Sequence, residues 1–176
     1  VIIILAVIGG IIGLLLLLAL FVKNSYSVGR EIVINTPKQE VFNYIRHLKN
    51  QDHFSKWVMT DPNMKKEFRG TDGTVGFVYA WEGNKKAGKG EQEIMKITEG
   101  EKLDVEVRFI KPFEAIAKTS FITESVSGNQ TKIKWEMSSR MKYPMNIMLL
   151  FMNMDKMLGR DMETSLLTLK GILEKS

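Results

Sequence analysis

Residues 1–22 contain no charged or strongly polar side chain. As a helix rising about 1.5 Å per residue, such a run spans roughly 30 Å, the thickness of a bilayer core. Lys23, Asn24 and Ser25 end it abruptly. A cleaved signal peptide would have a shorter apolar region, followed by small residues. Here residues 14–18 are an unbroken leucine run, and Ala19-Leu20-Phe21 is a poor cleavage context. The expectation is a retained transmembrane anchor over residues 1–22 in a single-pass membrane protein. Position 1 is not methionine, so the native start is expected upstream. Lys23 and Arg30 alone do not fix orientation across the membrane. Gly9 and Gly13 have the spacing that lets two helices approach closely, although glycine is common in membrane helices.

The anchor leaves one domain of ordinary size, expected over residues 30–176 after a polar tether at 23–29. Apolar residues make up 44% of the chain, enough for a real core. The formal net charge is +5, all of it beyond position 22, and fits either a solvated surface or proximity to anionic lipid. There is no cysteine, which excludes disulfides, thiolate metal sites and a cysteine nucleophile.

Within the domain, residues 30–34 alternate as a first strand. Thr36-Pro37-Lys38-Gln39 reads as a helix start, with Thr36 capping and Gln39 completing a capping box. Val41, Ile45 and Leu48 then mark one helical face. A second short helix holds Phe54, Trp57 and Val58. From Met64 to Met141 about six strands follow, separated by short turns, which makes neighbours antiparallel. The clearest is 103–109, where Leu103, Val105, Val107 and Phe109 alternate with Asp104, Glu106 and Arg108: one dry face and one wet face. After Pro144 a helix of about 30 residues is predicted. Its apolar stripe runs through Ile147, Phe151, Met154, Leu158, Met162, Leu166, Leu169 and Leu173.

A one-sided sheet must cover its dry face, and the last helix is the element long enough to do so. A curved sheet gripping one helix leaves an apolar cavity at its open end, a common form for a small-molecule site. Candidate lining residues are Phe77, Tyr79, Trp81, Val105, Val107, Phe109, Phe121, Trp135 and Met137, with Met154 and Leu158 from the helix. Seven of the 11 methionines lie between Met141 and Met162, a composition suited to a surface that repacks around partners or to ordinary core filling.

Several stretches in this order resemble the START-like, or SRPBCC, superfamily, including the birch-pollen allergen fold and the polyketide cyclase/dehydrase branch. They are Glu31-Ile-Val-Ile-Asn-Thr-Pro37, Val41-Phe-Asn-Tyr-Ile45, Gly73-Thr-Val-Gly-Phe-Val-Tyr-Ala-Trp-Glu-Gly83, Gly88-Lys-Gly-Glu91, Lys111-Pro-Phe113, and Met154-Asp-Lys-Met-Leu-Gly159 followed by Asp161. The resemblance covers residues 30–175. It implies an α+β helix-grip fold, a curved antiparallel sheet around a long C-terminal helix, with a hydrophobic cavity. It implies no single activity, and no cyclase catalytic pattern is carried over.

Other chemistry has little support. His47 and His53 are six apart, which fits no zinc spacing, so neither a metal nor a cofactor is expected. Phosphate-loop and nucleophile-elbow patterns are missing from the sequence. Lys85, Lys86 and Lys89 read as a solvated loop rather than a nucleic-acid contact. The leading functional expectation is a noncatalytic, membrane-anchored binder of a lipid or other hydrophobic small molecule. The alternatives are a cyclase, dehydratase or isomerase using Glu114, Tyr79 and the His53–Asp52 pair, or a protein-interaction module using residues 145–152.

Overall fold

The computed structural model describes residues 2–175. Val1, first residue of the expected anchor, and Ser176, last of the expected domain, lie outside the described residues. Helix α1 (Ile2–Phe21) is apolar throughout and exposed along most of its length, with Ala19 buried. It is long and apolar enough to cross a bilayer.

Seven strands form one curved antiparallel sheet: β1 (Ser25–Ile34), β2 (Lys65–Arg69), β3 (Val78–Glu82), β4 (Lys89–Thr98), β5 (Lys102–Lys111), β6 (Ala115–Ser127) and β7 (Gln130–Arg140). The order across the sheet is β1-β7-β6-β5-β4-β3-β2. Strands β2 to β7 are a meander with short turns, and β1 joins beside β7 with Val28 opposite Met137 and Ile32 opposite Ile133. Between β1 and β2 lie α2 (Lys38–Arg46) and the short α3 (Gln51–Phe54). Helix α4 (Met154–Leu173) lies across the dry face. The core joins Leu103, Val105, Phe121, Ile133 and Trp135 of the sheet to Met162, Leu166 and Leu169 of α4, and Val41, Phe42 and Ile45 of α2 close one end. The wet face of β5 carries charge: Arg108 reaches Glu91, Glu93 and Glu106 on its own and the adjoining strand.

Three sequence expectations need correction. The first strand begins at Ser25, within the stretch expected as a tether. Val28 is buried two turns of the pleat before Ile32, and the serines beside Tyr26 had disguised the alternation. Thr36 does not cap α2. Its hydroxyl donates to the Leu173 carbonyl at the far end of α4, at 3.1 Å, and Gln39 instead donates to Asn43. The final helix has 20 residues, not about 30. Residues Met145–Leu150 form a tighter 3-10 stretch, and Asn153 starts α4 afresh by accepting from the Lys156 amide at 2.8 Å. Ile147 and Phe151 therefore leave the apolar stripe, and Phe151 is 77% exposed.

Helix α4 is latched to the sheet by Arg30. Its guanidinium makes two hydrogen bonds to the Asp155 carboxylate, at 2.9 and 3.0 Å, and a third to Glu163 at 2.8 Å. Gly159 lies between these acids, where a Cβ would clash with the Arg30 guanidinium. The spacing of Asp155, Gly159 and Glu163, four residues apart each time, is thus one helical face with room for an arginine from β1. Hydrogen bonding to Arg30 holds the Asp155 carboxyl below its ordinary range. A lowered folded-state value means that the pair stabilises the fold above the ordinary carboxylate range and stops doing so as pH falls through the lowered value. Arg30→Met should therefore flatten the acid limb of the urea-midpoint curve as pH falls through and below the ordinary carboxylate range. Identical slopes for both proteins would show that the latch contributes nothing.

Candidate functional site

Between the sheet, the segment 51–60 and α4 lies a cavity of about 240 Å³. Aromatic and aliphatic side chains make most of its wall. At its inner end Trp135 lies against Phe121, ring centroids 4.8 Å apart, and meets the edge of Trp57 at 5.3 Å. At its outer end the partly exposed Trp81 and Phe109 meet edge to face at 6.1 Å. Gly90 permits this placement: a Cβ there would stand 2.7 Å from the Trp81 ring.

The polar atoms of these rings are already engaged by the protein. The Trp135 indole donates to Thr119 at 2.8 Å, and Thr119 passes its own hydrogen to the Glu136 carbonyl. The Trp57 indole donates to Asp161, and that of Trp81 to the Ala87 carbonyl. The Tyr79 hydroxyl donates to Asp52 at 2.7 Å, and Lys66 neutralises the other oxygen of that carboxylate at 2.8 Å. Burial, with Asp52 adding to it, pushes the Tyr79 phenol well above its usual range, which keeps it a hydrogen-bond donor.

Of the eleven residues expected at a binding site, Tyr79, Trp81, Val107, Phe109, Phe121, Trp135, Met137 and Leu158 come together around this cavity. Phe77, Val105 and Met154 do not. They are buried in the core away from its wall, Phe77 because it precedes β3 and stacks on Phe68. Gln51, Ser55 and Trp57 from the α3 region also line the cavity, as do Gln92 and Thr119 from the sheet. Strand parity locates the last two: Gln92 shares its face with buried Ile94, and Thr119 with Ala117 and Phe121.

The acid-base candidates separate. Glu114 is exposed in the turn before β6, and His53 is exposed on α3. Tyr79 alone of that set faces the cavity. Among the described residues no group of three or more His, Asp or Glu is placed to hold a metal ion. Of the lysines expected on a solvated loop, Lys89 pairs with Glu82 at 3.0 Å, and Lys86 stands at the cavity mouth.

No family model and no curated protein sequence matches this chain. Solved structures do. Norcoclaurine synthase from Thalictrum flavum, in complex with dopamine and hydroxybenzaldehyde, superposes with a TM-score of 0.62 at 11% identity, over 86% of this chain and 88% of that one. Ara h 8.0201 gives 0.59 at 14% identity, over 86% and 99%. The Aha1 dimer from Colwellia psychrerythraea gives 0.58 at 16%, over 85% and 96%. At these identities the likeness is one of fold: the chain has the helix-grip architecture of this group, preceded by an apolar helix.

Proposed function

We propose that this chain is a membrane-anchored binding protein for a small hydrophobic molecule, held in the 240 Å³ cavity. One observation carries the reading. The three indoles of the cavity wall and the Tyr79 phenol have their polar atoms bonded to the protein, so their apolar faces remain for a guest. A cavity of roughly 150 Å³ lodges a single benzene ring, so this one suits a two-ring or short branched body rather than a long acyl chain. A protein of the same fold takes up two small aromatic molecules, which agrees with that size. The ligand-binding residues of the proposal are Tyr79, Trp81, Val107, Phe109, Phe121, Trp135, Met137 and Leu158.

In this reading α1 crosses the bilayer and residues 143–152 rest at the headgroup level. Asn146, itself buried, donates to the carbonyls of Ala19 and Val22 at 2.7 and 3.0 Å. The last carbonyls of a helix have no acceptor role within it, and Asn146 supplies the donor. Leu150 and Phe151 stand exposed beside Leu18 and Phe21, placed to enter the boundary between headgroups and acyl chains.

The test is occupancy. Mass spectrometry of the full chain purified from membranes should find a bound apolar compound. Val107→Trp places a bulky ring in the cavity and should weaken binding of a naphthalene-type fluorescent probe by about tenfold or more, with the sheet's circular dichroism retained. Probe affinity equal to wild type would remove the cavity from consideration.

A further inference from the structure

The cavity is not apolar all round. Gln51 and Gln92 are each 6% exposed and Ser55 is 1% exposed, and all three line it. Gln51 and Ser55 lie four apart in the α3 region, where the Ser55 amide donates to the Gln51 carbonyl at 2.9 Å, so both face the same way. Gln92 comes from β4, opposite Tyr79 of β3. The Gln92 amide nitrogen donates to the Gln51 side-chain oxygen at 3.1 Å. That one bond leaves the Gln92 oxygen and the Gln51 amide nitrogen without a partner among the described residues. Turning both amides over would exchange the roles and leave the same inventory, one amide oxygen and one whole NH2 group, besides the second hydrogen of the bonded nitrogen. The Ser55 hydroxyl adds a group able to do either.

Buried polar groups are retained where something satisfies them. The free atoms of Gln51, Gln92 and Ser55 open onto the cavity, where water or the polar end of a guest meets them. Such a guest end must be uncharged. The neighbouring Asp52 is already neutralised by Lys66 and Tyr79, and Lys86, the cation of the wall, stands exposed at the opposite, outer end. A carboxylate on the glutamines would find no unpaired cation, and a cation no unpaired anion. We propose that Gln51, Gln92 and Ser55 form a polar reading head, and that the guest has an apolar body ending in one neutral hydroxyl, carbonyl or amide group. This rests on the cavity being a binding site, and refines it to a ligand class.

Three probes of one shape test it on the full chain in nanodiscs, with empty nanodiscs subtracted: naphthalene, 2-naphthol and 2-naphthoate. Wild type should bind 2-naphthol about tenfold more tightly than naphthalene, the equivalent of one net neutral hydrogen bond, and more tightly than 2-naphthoate. The double variant Gln51→Leu/Gln92→Leu removes both partners together. It should bind naphthalene at least as well as wild type does and lose most of the preference for the naphthol. Gln51→Met/Gln92→Met serves if the leucine pair does not fold. Equal wild-type affinity for naphthalene and 2-naphthol would overturn the reading head, as would a preference that survives in the double variant. Tightest binding of 2-naphthoate, abolished by Lys86→Ala, would also overturn it in favour of a charged group at the mouth. Failure of all three probes to bind wild type would sink the cavity itself.

Discussion

Trp135→Ala should lower the melting temperature of the domain by about 10 °C, the largest loss expected from a single truncation near the site. Trp135 is 2% exposed at the middle of β7 and touches two other parts of the chain: β6, through the Phe121 ring and through Thr119 at its indole nitrogen, and Trp57 after α3. Truncating a buried aromatic to alanine costs about 3–5 kcal/mol, through lost apolar burial and the hole left behind. For a chain of this size 1 kcal/mol corresponds to roughly 2–4 °C. Thr119 limits the damage, since it keeps its bond to the Glu136 carbonyl. The hole would merge with the existing cavity, so the variant should accept bulkier apolar guests and regain stability as they bind. Thermal unfolding followed by circular dichroism, with and without such a guest, measures both effects. A melting point within a few degrees of wild type would mean that the inner end of the cavity is not packed around this ring.

Parity made the sheet readable from the sequence. Leu103, Val105 and Val107 alternate with charged residues, and the structure puts the first set in the core and Arg108 among glutamates outside. The boundaries of α4 were less readable because they depend on partners distant in sequence. Residues 145–152 are apolar enough to continue a helix, but Asn146 bonds to the end of α1, over 120 positions away, and Asn153 is used as a cap. Thr36 departs from a local cap for the same reason, its partner being the distant Leu173. The site was legible where it is apolar. Its polar part was not, because glutamine and serine in a strand or short helix look like surface residues until the opposite wall is known. Gln92 has meaning only beside Gln51, and nothing local brings the two together.

Ile11→Arg/Leu14→Arg should convert the protein from an integral membrane form to one released by alkaline extraction. Each arginine near the centre of a spanning helix costs about 2.5–3.5 kcal/mol on insertion scales. Two together cost roughly 5–7 kcal/mol, a shift of about four to five orders of magnitude in the insertion equilibrium. Both positions are exposed on α1 and make no contribution to the domain core, so the released protein should keep its sheet and its binding behaviour. The wild-type membrane fraction should yield an intact mass that includes α1. A mature chain cut after position 22 would show the segment to be a leader and defeat the anchor. The distinction bears on the cavity as well as on location. Asn146 joins the last turn of α1 to the segment that leads into α4, and α4 contributes Leu158 to the cavity wall. If α1 is held in lipid, that short connection keeps the domain against the bilayer surface, where apolar molecules dissolve and from which a guest of limited water solubility can be taken up.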